Sequence, residues 1–286
     1  MTYVDVATKL KRKPRNGRTA EQVLNHYLIE TEIAQKLKDA PREERSAIYS
    51  SMYDELFDKV PDHPRLNIRN NEQLSKKGVR HKLALVAPFL KDKMTFAEFA
   101  PGDCRFAMHV APKVKLIYGI DISEQYQKDE KMPQNFELII YDGYALKGIP
   151  NNSVDIVFSD QLIEHIHPDD VEHHFLLIKK MLIKGGLYIM RTPHKSSGPH
   201  DVSVYFSDVP LGFHLKEWSY VELQELTKKL GFKITHTYWF GKGFKCRVPV
   251  AYFLNMERVF SMLPHNLSRK VSQYFIPSIC CVFQAD

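Results

Sequence analysis

A chain of 286 residues, 44% hydrophobic and 26% charged, is long enough for one large domain with appendages and too rich in core-forming residues to stay disordered. No apolar run approaches the ~20 residues that cross a bilayer, and the first residues lack a signal-peptide core, so a cytoplasmic protein with no transmembrane segment is expected. The net charge of +6 gathers in residues 1–18, where Lys9, Lys11, Arg12, Lys13, Arg15 and Arg18 face only Asp5; the body is nearly neutral and shows no basic stripe, so nucleic acid is not the expected partner.

After this basic tail, Val23, Leu24, Tyr27, Leu28, Ile33 and Leu37 recur at helical spacing, with Thr19 and Gln22 as a capping box. A second helix begins at Pro41 and runs through Ile48, Tyr49, Tyr53 and Leu56. Residues 19–71 thus read as a helical N-terminal extension closed by a Pro-containing linker, Val60 to Asn71. A helix over Glu72 to Leu90 opens the main domain, residues 72–286.

The stretch Met94 to Ser123 reads as a strand, a tight turn at Pro101-Gly102, a short helix and a second strand ending in Asp121, which is half of a nucleotide-type site. Further strands fall at Phe136 to Tyr141, Val154 to Ser159, Leu187 to Arg191 and Phe232 to Phe240. Helices fall at Pro168 to Ile183 and after the Ser219/Glu222 cap. Two helices at about 249–276 form an insertion before a last strand, Ile279 to Phe283. The first of them is apolar enough for peripheral membrane contact, though such a helix ordinarily packs on its own domain. This alternation predicts an α/β fold with a mostly parallel sheet covered on both faces. The cysteines, Cys104, Cys246, Cys280 and Cys281, have no paired spacing, so neither disulfides nor a cysteine zinc site is indicated.

Ligands of such sheets bind beyond the carboxyl ends of the strands. The residues there are Ala100, Pro101 and Gly102; Asp121 and Ile122; Asp142 and Gly143; Asp160, Gln161, Glu164 and His165; and Thr192, Pro193 and His194. Carboxylates after three strands suit the hydroxyls of a ribose or an exocyclic amine, because they offer several lone pairs and no donor.

The ordered series EFAPGDC, GIDIS, YDG, NNSVDIVFSDQLIEHI and LLIKKMLIKGGLYIMRTPH, followed by HLKEWSYVELQELTKKLGF, resembles the motifs of class I S-adenosylmethionine-dependent methyltransferases, especially the broad small-molecule, type 11-like group. The resemblance covers about Glu72 to Phe240. It implies a Rossmann-like seven-stranded sheet with the last strand antiparallel, and S-adenosyl-L-methionine as cofactor. Matched position by position, it gives Glu98 as the acid near the methionyl amino group and Gly102 as the central glycine. Asp121 becomes the ribose acid with Ile122 beside it, Asp142 the contact to the adenine amine with Gly143 as its backbone neighbour, and Gln161 the residue near the methionyl portion. Ala100 and Cys104 stand where glycines are common, so Gly102 is expected to supply most of the turn's freedom.

Methyl transfer from a sulfonium is an in-line displacement that depends on alignment, and a hydroxyl acceptor also benefits from a base. The long polar and aromatic connection from His194 to Trp218 follows the fifth strand on the ligand side. Its His194, His200, Asp201, Tyr205 and His214, together with His165, are the candidates for that role. A metal is the competing reading, since His165, His167, His173 and His174 crowd one helix start and Glu164-His165 resembles the pair in some metal-dependent RNA and quinone methyltransferases. Gln161 stands where those have an acid, and His173 and His174 diverge on a helix, so no metal is expected. The expected activity is O-methylation of a small polar acceptor, with a saccharide or glycoconjugate hydroxyl first. RNA or protein methylation, drawing on the basic tail, and a non-catalytic binding module are the alternatives. The residues leave the oligomeric state open.

Overall fold

The computed structural model describes residues 10–69, 71–124, 132–241 and 244–286; the first half of the basic tail, residues 1–9, lies outside them. The N-terminal helices are α1 (Ala20–Asp39), α2 (Arg42–Lys59), the short α3 (Pro64–Arg69) and α4 (Glu72–Val86). The capping box at Thr19 forms: its hydroxyl accepts the Gln22 amide at 3.2 Å, and the Gln22 side chain accepts the Thr19 amide at 2.8 Å. Helix α3 occupies the segment expected as a linker, and α4 stops at Val86, where Pro88 turns the chain into a single 3-10 turn.

The strands are β1 (Thr95–Phe99), β2 (Leu116–Asp121), β3 (Phe136–Ile140), β4 (Val154–Asp160), β5 (Leu182–Thr192), β6 (Phe232–Gly241), β7 (Phe244–Arg247) and β8 (Ile279–Ala285). Between them lie α5 (Arg105–Val110), α6 (Pro168–Met181), α7 (Tyr220–Lys229), α8 (Val250–Ser261) and α9 (His265–Phe275). The sheet order is β3-β2-β1-β4-β5-β8-β6-β7, with β1 to β5 parallel and β8 antiparallel to both of its neighbours. Seven strands follow the expected arrangement. The eighth, β7, is an antiparallel edge strand paired with β6; its FKCR, at four residues, is too short for its alternation to announce a strand.

The two faces follow from the period of the strands. Phe96, Ile117, Ile156 and Phe158 point toward α4 and α5, while Ala97, Phe99, Val157 and Tyr188 point toward α6 and α7. Helix α8 packs on the same domain, with Phe253 stacked on Tyr220 at 4.3 Å; Val259 and Met262 remain on its outer face. No helix among the described residues is long and apolar enough to cross a membrane. The N-terminal extension has its own core of Ile33, Leu37, Tyr49, Met52 and Leu56, completed by Phe213 and Leu215 from the connection after β5. The helices are therefore seated over the ligand end of the sheet.

Across β4 and β5, Arg191 grips Asp160 through two bonds of 2.6 and 2.8 Å. Burial alone would raise the Asp160 carboxyl, but the charge and hydrogen bonds of Arg191 hold it below the usual aspartate value. A depressed folded-state value contributes stability that is complete above the unfolded value of about 4 and is lost as pH falls through the folded one. The stability gap between wild type and Asp160→Asn, measured by urea unfolding, is accordingly expected to be widest near neutrality and to shrink below about pH 4. A gap independent of pH would contradict this.

Candidate active site

The carboxyl ends of β1, β2 and β4 open into a cavity of about 350 Å³ whose opposite wall is Tyr49, Met52 and Tyr53 of α2 with Arg65 and Ile68 of α3. Ala100, Gly102, Asp121, Ile122, Gly143 and Gln161 line it, as the sequence placed them beyond the strand ends. The loop after β1 is held by Ala100 donating its amide to Ile120 O at 2.8 Å and Cys104 donating to Pro101 O at 3.1 Å. Its shape differs from expectation in one respect. Gly102 does not carry the turn alone: Ala100, Gly102 and Cys104 adopt φ of 53°, 58° and 57°, so two side-chain-bearing residues sit in the left-handed region. Each stores about 1–2 kcal/mol of steric strain. Ala100→Gly is therefore expected to be neutral or to stabilise by up to ~1 kcal/mol, where an ordinary Ala→Gly change destabilises by 0.5–1 kcal/mol. Chemical denaturation checks this; a loss of more than ~1 kcal/mol would show that the loop carries no such strain.

Asp121 is 6% exposed and accepts amides from Gly102 at 3.2 Å and Ile122 at 2.8 Å. Burial raises its carboxyl, opposed by those amides. It is thus a desolvated acceptor facing a cavity, a state that two hydroxyl donors relieve. The apolar Ile120, Ile122, Tyr141, Leu162 and Ile166 around it suit a flat heterocycle. Donor set and walls together fit an adenosyl group.

Two expected cofactor residues do not line the cavity. Glu98 is fully buried beneath the loop, with Oε1 accepting from Lys82 at 2.9 Å and Oε2 unpartnered; Lys82 is the residue that reaches the cavity. Asp142 is exposed and turned onto its own loop, where Oδ1 accepts the amides of Tyr144 and Ala145 at 2.8 and 2.7 Å. Those amides lower its pKa, as in an aspartate-initiated turn. The wall at that strand end is Gly143, at φ +88°, where a Cβ would lie 3.4 Å from the Tyr49 ring.

A second cavity of about 360 Å³ adjoins the first, and Tyr53, Arg65, Gln161 and His165 line both. Its other walls bring His26, Glu30 and His63 from the extension together with His200, Asp201, Tyr205 and His214 from the connection after β5. Arg15 and Arg18 of the basic tail close it. His165 donates from Nδ1 to Phe213 O at 3.0 Å; burial and the neighbouring His214 and Arg65 push its pKa well below the usual histidine value, so the ring is neutral near pH 7. His214 is opposed by burial but held by Glu217 at 2.8 Å and by the charge of Glu164, and is pushed up to about 9. Glu217, despite burial, is brought down to about 2 by His200 and His214.

His194, named as a candidate base, is elsewhere. It is fully buried, its Nε2 lies 2.6 Å from Glu257 of α8, and its Nδ1 accepts the Ser196 amide, so it ties the insertion to the sheet and faces neither cavity. Nothing in the sequence marks Tyr49, Tyr53, Arg65 or Lys82 as cavity residues. Tyr49 and Tyr53 fall on the packing face of an amphipathic helix, and spacing does not say that this face meets a ligand cavity.

Residues 97–190, from β1 to β5, match a family model described as a methyltransferase domain. No curated protein matches the chain in sequence. Among solved structures, the chain resembles the Haloferax volcanii complex between the Trm112 methyltransferase activator and a methyltransferase, with TM-score 0.55 and 14% identity over 75% of this chain and 92% of that one. It also resembles Haemonchus contortus phosphoethanolamine N-methyltransferase 1 in complex with phosphoethanolamine and S-adenosylhomocysteine, with TM-score 0.55 and 15% identity over 84% of this chain but 49% of that one. A SAM-dependent methyltransferase from Archaeoglobus fulgidus gives TM-score 0.51 and 16% identity over 73% of this chain and 93% of that one. The residues matched by the methyltransferase-domain model supply the strand-end wall of the first cavity, and the chain has the fold of the class I S-adenosylmethionine-dependent methyltransferases.

Proposed function

We propose that the chain transfers the methyl group of S-adenosylmethionine, seated in the first cavity, to a hydroxyl of a small polar acceptor seated in the second. The observation that carries this reading is the shared wall: Tyr53, Arg65, Gln161 and His165 border both cavities, so donor and acceptor meet there. In this reading Asp121 takes the ribose hydroxyls, and the loop from Ala100 to Gly102 approaches the methionyl end, with Gln161 on its other side. The side chains of Tyr53 and Arg65 border the reacting end, where alignment supplies much of the rate. His165 presents an unprotonated ring nitrogen there. Residues 19–71 act as the cover that closes the acceptor cavity.

A small acceptor is favoured over a polyanion by the fate of the basic tail. Lys11 pairs with Asp208 and gives its amide to Tyr205 O, Arg18 pairs with Asp62, and Arg15 and Arg18 wall the cavity instead of forming an open arm. A wall rich in imidazoles, guanidiniums and carboxylates suits a polyhydroxylated molecule such as a saccharide.

Incubation with methyl-labelled S-adenosylmethionine and a panel of monosaccharides, glycosides, RNA and protein tests the reading. Saturable label transfer to a small hydroxylated compound is expected; transfer to RNA or protein alone would overturn it.

A further inference from the structure

The insertion before the last strand turns an apolar side outward. In α9, Leu267, Lys270, Tyr274 and Phe275 fall at i, i+3, i+7 and i+8 and all are exposed. On the opposite side Ser272 has no exposed surface, and Arg269 reaches inward to Asp208 at 2.8 Å. A surface helix ordinarily buries its apolar stripe and shows its polar one; of the apolar residues of α9, it is Val271 that packs on the main core. Helix α8 adds the exposed Val259 and, at its end, Met262, which is 84% exposed, with Arg258 one turn before it.

These side chains form one surface. The Phe275 ring lies 6.1 Å from Phe260 of α8, and the Trp239 indole of β6 donates to Tyr274 O at 3.0 Å. Phe244 of the edge strand β7, 62% exposed, lies 6.1 Å from the Trp239 ring. Contiguous apolar surface of this kind marks a contact with lipid or with a partner, and Trp and Tyr at its margin suit a membrane–water boundary.

Charge selects between the two. From residue 244 to residue 278 the chain carries Lys245, Arg247, Arg258, Arg269 and Lys270 against one acid, Glu257. That acid is withdrawn: it holds His194 at 2.6 Å and accepts the amides of Tyr220 and Val221. The ion pairs of α8 and α9 among the described residues are those of Glu257 and Arg269, so Arg258 and Lys270 present open charge beside the apolar residues. Asp208, which pairs with Arg269, also pairs with Lys11, so the basic tail joins the insertion there. A second copy docked across a two-fold axis would set these cations against themselves, and protein interfaces are poor in lysine. An anionic bilayer satisfies both features, because acyl chains take the apolar side chains and headgroups take the cations.

We propose that α8, α9 and the start of β7 form a docking surface for an anionic lipid membrane. Phe244, Met262 and Leu267 enter the acyl boundary, and Arg258 and Lys270 meet the phosphate headgroups. The contact is peripheral, since no helix among the described residues is long and apolar enough to cross a membrane. It goes beyond methyl transfer and does not depend on it.

Co-sedimentation of the full chain with phosphatidylcholine vesicles, with and without phosphatidylglycerol, tests this surface in the absence of any methyl donor. Retention at least about 10-fold stronger on the anionic vesicles, and weakened by salt, is expected. Met262→Ser combined with Leu267→Ser should lower it at least about 10-fold, and Arg258→Gln and Lys270→Gln about 5-fold each. Phe244→Ser, on a different element, should lower it as well, with far-UV circular dichroism confirming that each variant is folded. Ile140→Ser, exposed on the opposite edge strand of the sheet, should change nothing. Trp218 is buried, so a blue shift of tryptophan emission on binding reports Trp239. No retention by wild type, equal retention on both vesicles, or binding without an emission shift would each overturn the proposal. Retention that survives both the Met262/Leu267 and the Phe244 replacements would assign binding to the basic tail and overturn it too. A doubled mass in light scattering that those replacements abolish, without vesicle retention, would give the surface to a second copy instead.

Discussion

Replacing Asp121 by alanine is expected to weaken the binding of S-adenosylhomocysteine by at least about 100-fold, read by calorimetry. The carboxylate accepts the amides of Gly102 and Ile122, with that of Ser123 also lowering its pKa, and keeps acceptor capacity toward the cavity for the ribose hydroxyls. Hydrogen bonds to a charged group contribute roughly 1.5–3 kcal/mol each, so losing two removes roughly 3–6 kcal/mol, and 100-fold corresponds to about 2.7 kcal/mol. Alanine also releases the Gly102 amide and loosens the loop. Asp121→Asn keeps the shape and one acceptor oxygen, and should fall between alanine and wild type. An unchanged affinity in Asp121→Ala would reduce the residue to a cap of its own turn.

Arg45→Met is expected to destabilise the protein by up to about 3–5 kcal/mol in urea unfolding, because it takes from a buried carboxylate its nearest cation and leaves it the Tyr144 hydroxyl at 2.8 Å and Arg42 at 3.6 Å. Arg45 donates to Asp170 at 3.1 Å and to Ala40 O at 2.9 Å, and Asp170 is 3% exposed. This pair fastens α2 to the first turn of α6, and α2 carries Tyr49 and Tyr53 in the cavity wall. Nucleoside affinity should therefore fall along with stability. Adding Asp170→Leu to Arg45→Met removes the stranded charge and should recover much of the stability, since apolar replacement of a buried ion pair is often neutral. A loss of less than ~1 kcal/mol in Arg45→Met would mean that the cover is held by its apolar core alone.

The fold was legible because local and global signals agree along the chain. The apolar run from Phe96 to Ala100, the glycine turn after β1 and the Ser219/Glu222 cap each report a local geometry that the tertiary structure keeps. The strand-end wall of the first cavity was legible for the same reason: Ala100, Gly102, Asp121 and Gln161 follow strand ends, and strand ends of a parallel sheet share one edge. The lining of the second cavity was only partly so. His200 and His214 reach the second cavity and His194 does not, because Glu257, 63 residues later in sequence, captures its ring. Asp142 and Asp121 look alike in sequence, each an acid closing a strand; only the direction of the next turn sends one into the loop and the other toward the cavity. The contribution of α2 and α3 was invisible, since a helical face packed on a core and one packed over a cavity have the same period.

Methyl donor and acceptor are expected to meet at the wall shared by the two cavities. A structure of the protein with bound S-adenosylhomocysteine measures this directly. The expected result is a ribose within hydrogen-bonding distance of Asp121 and a thioether sulfur facing the second cavity between Gln161 and His165. A nucleoside bound away from Asp121, or a sulfur directed away from the second cavity, would contradict it.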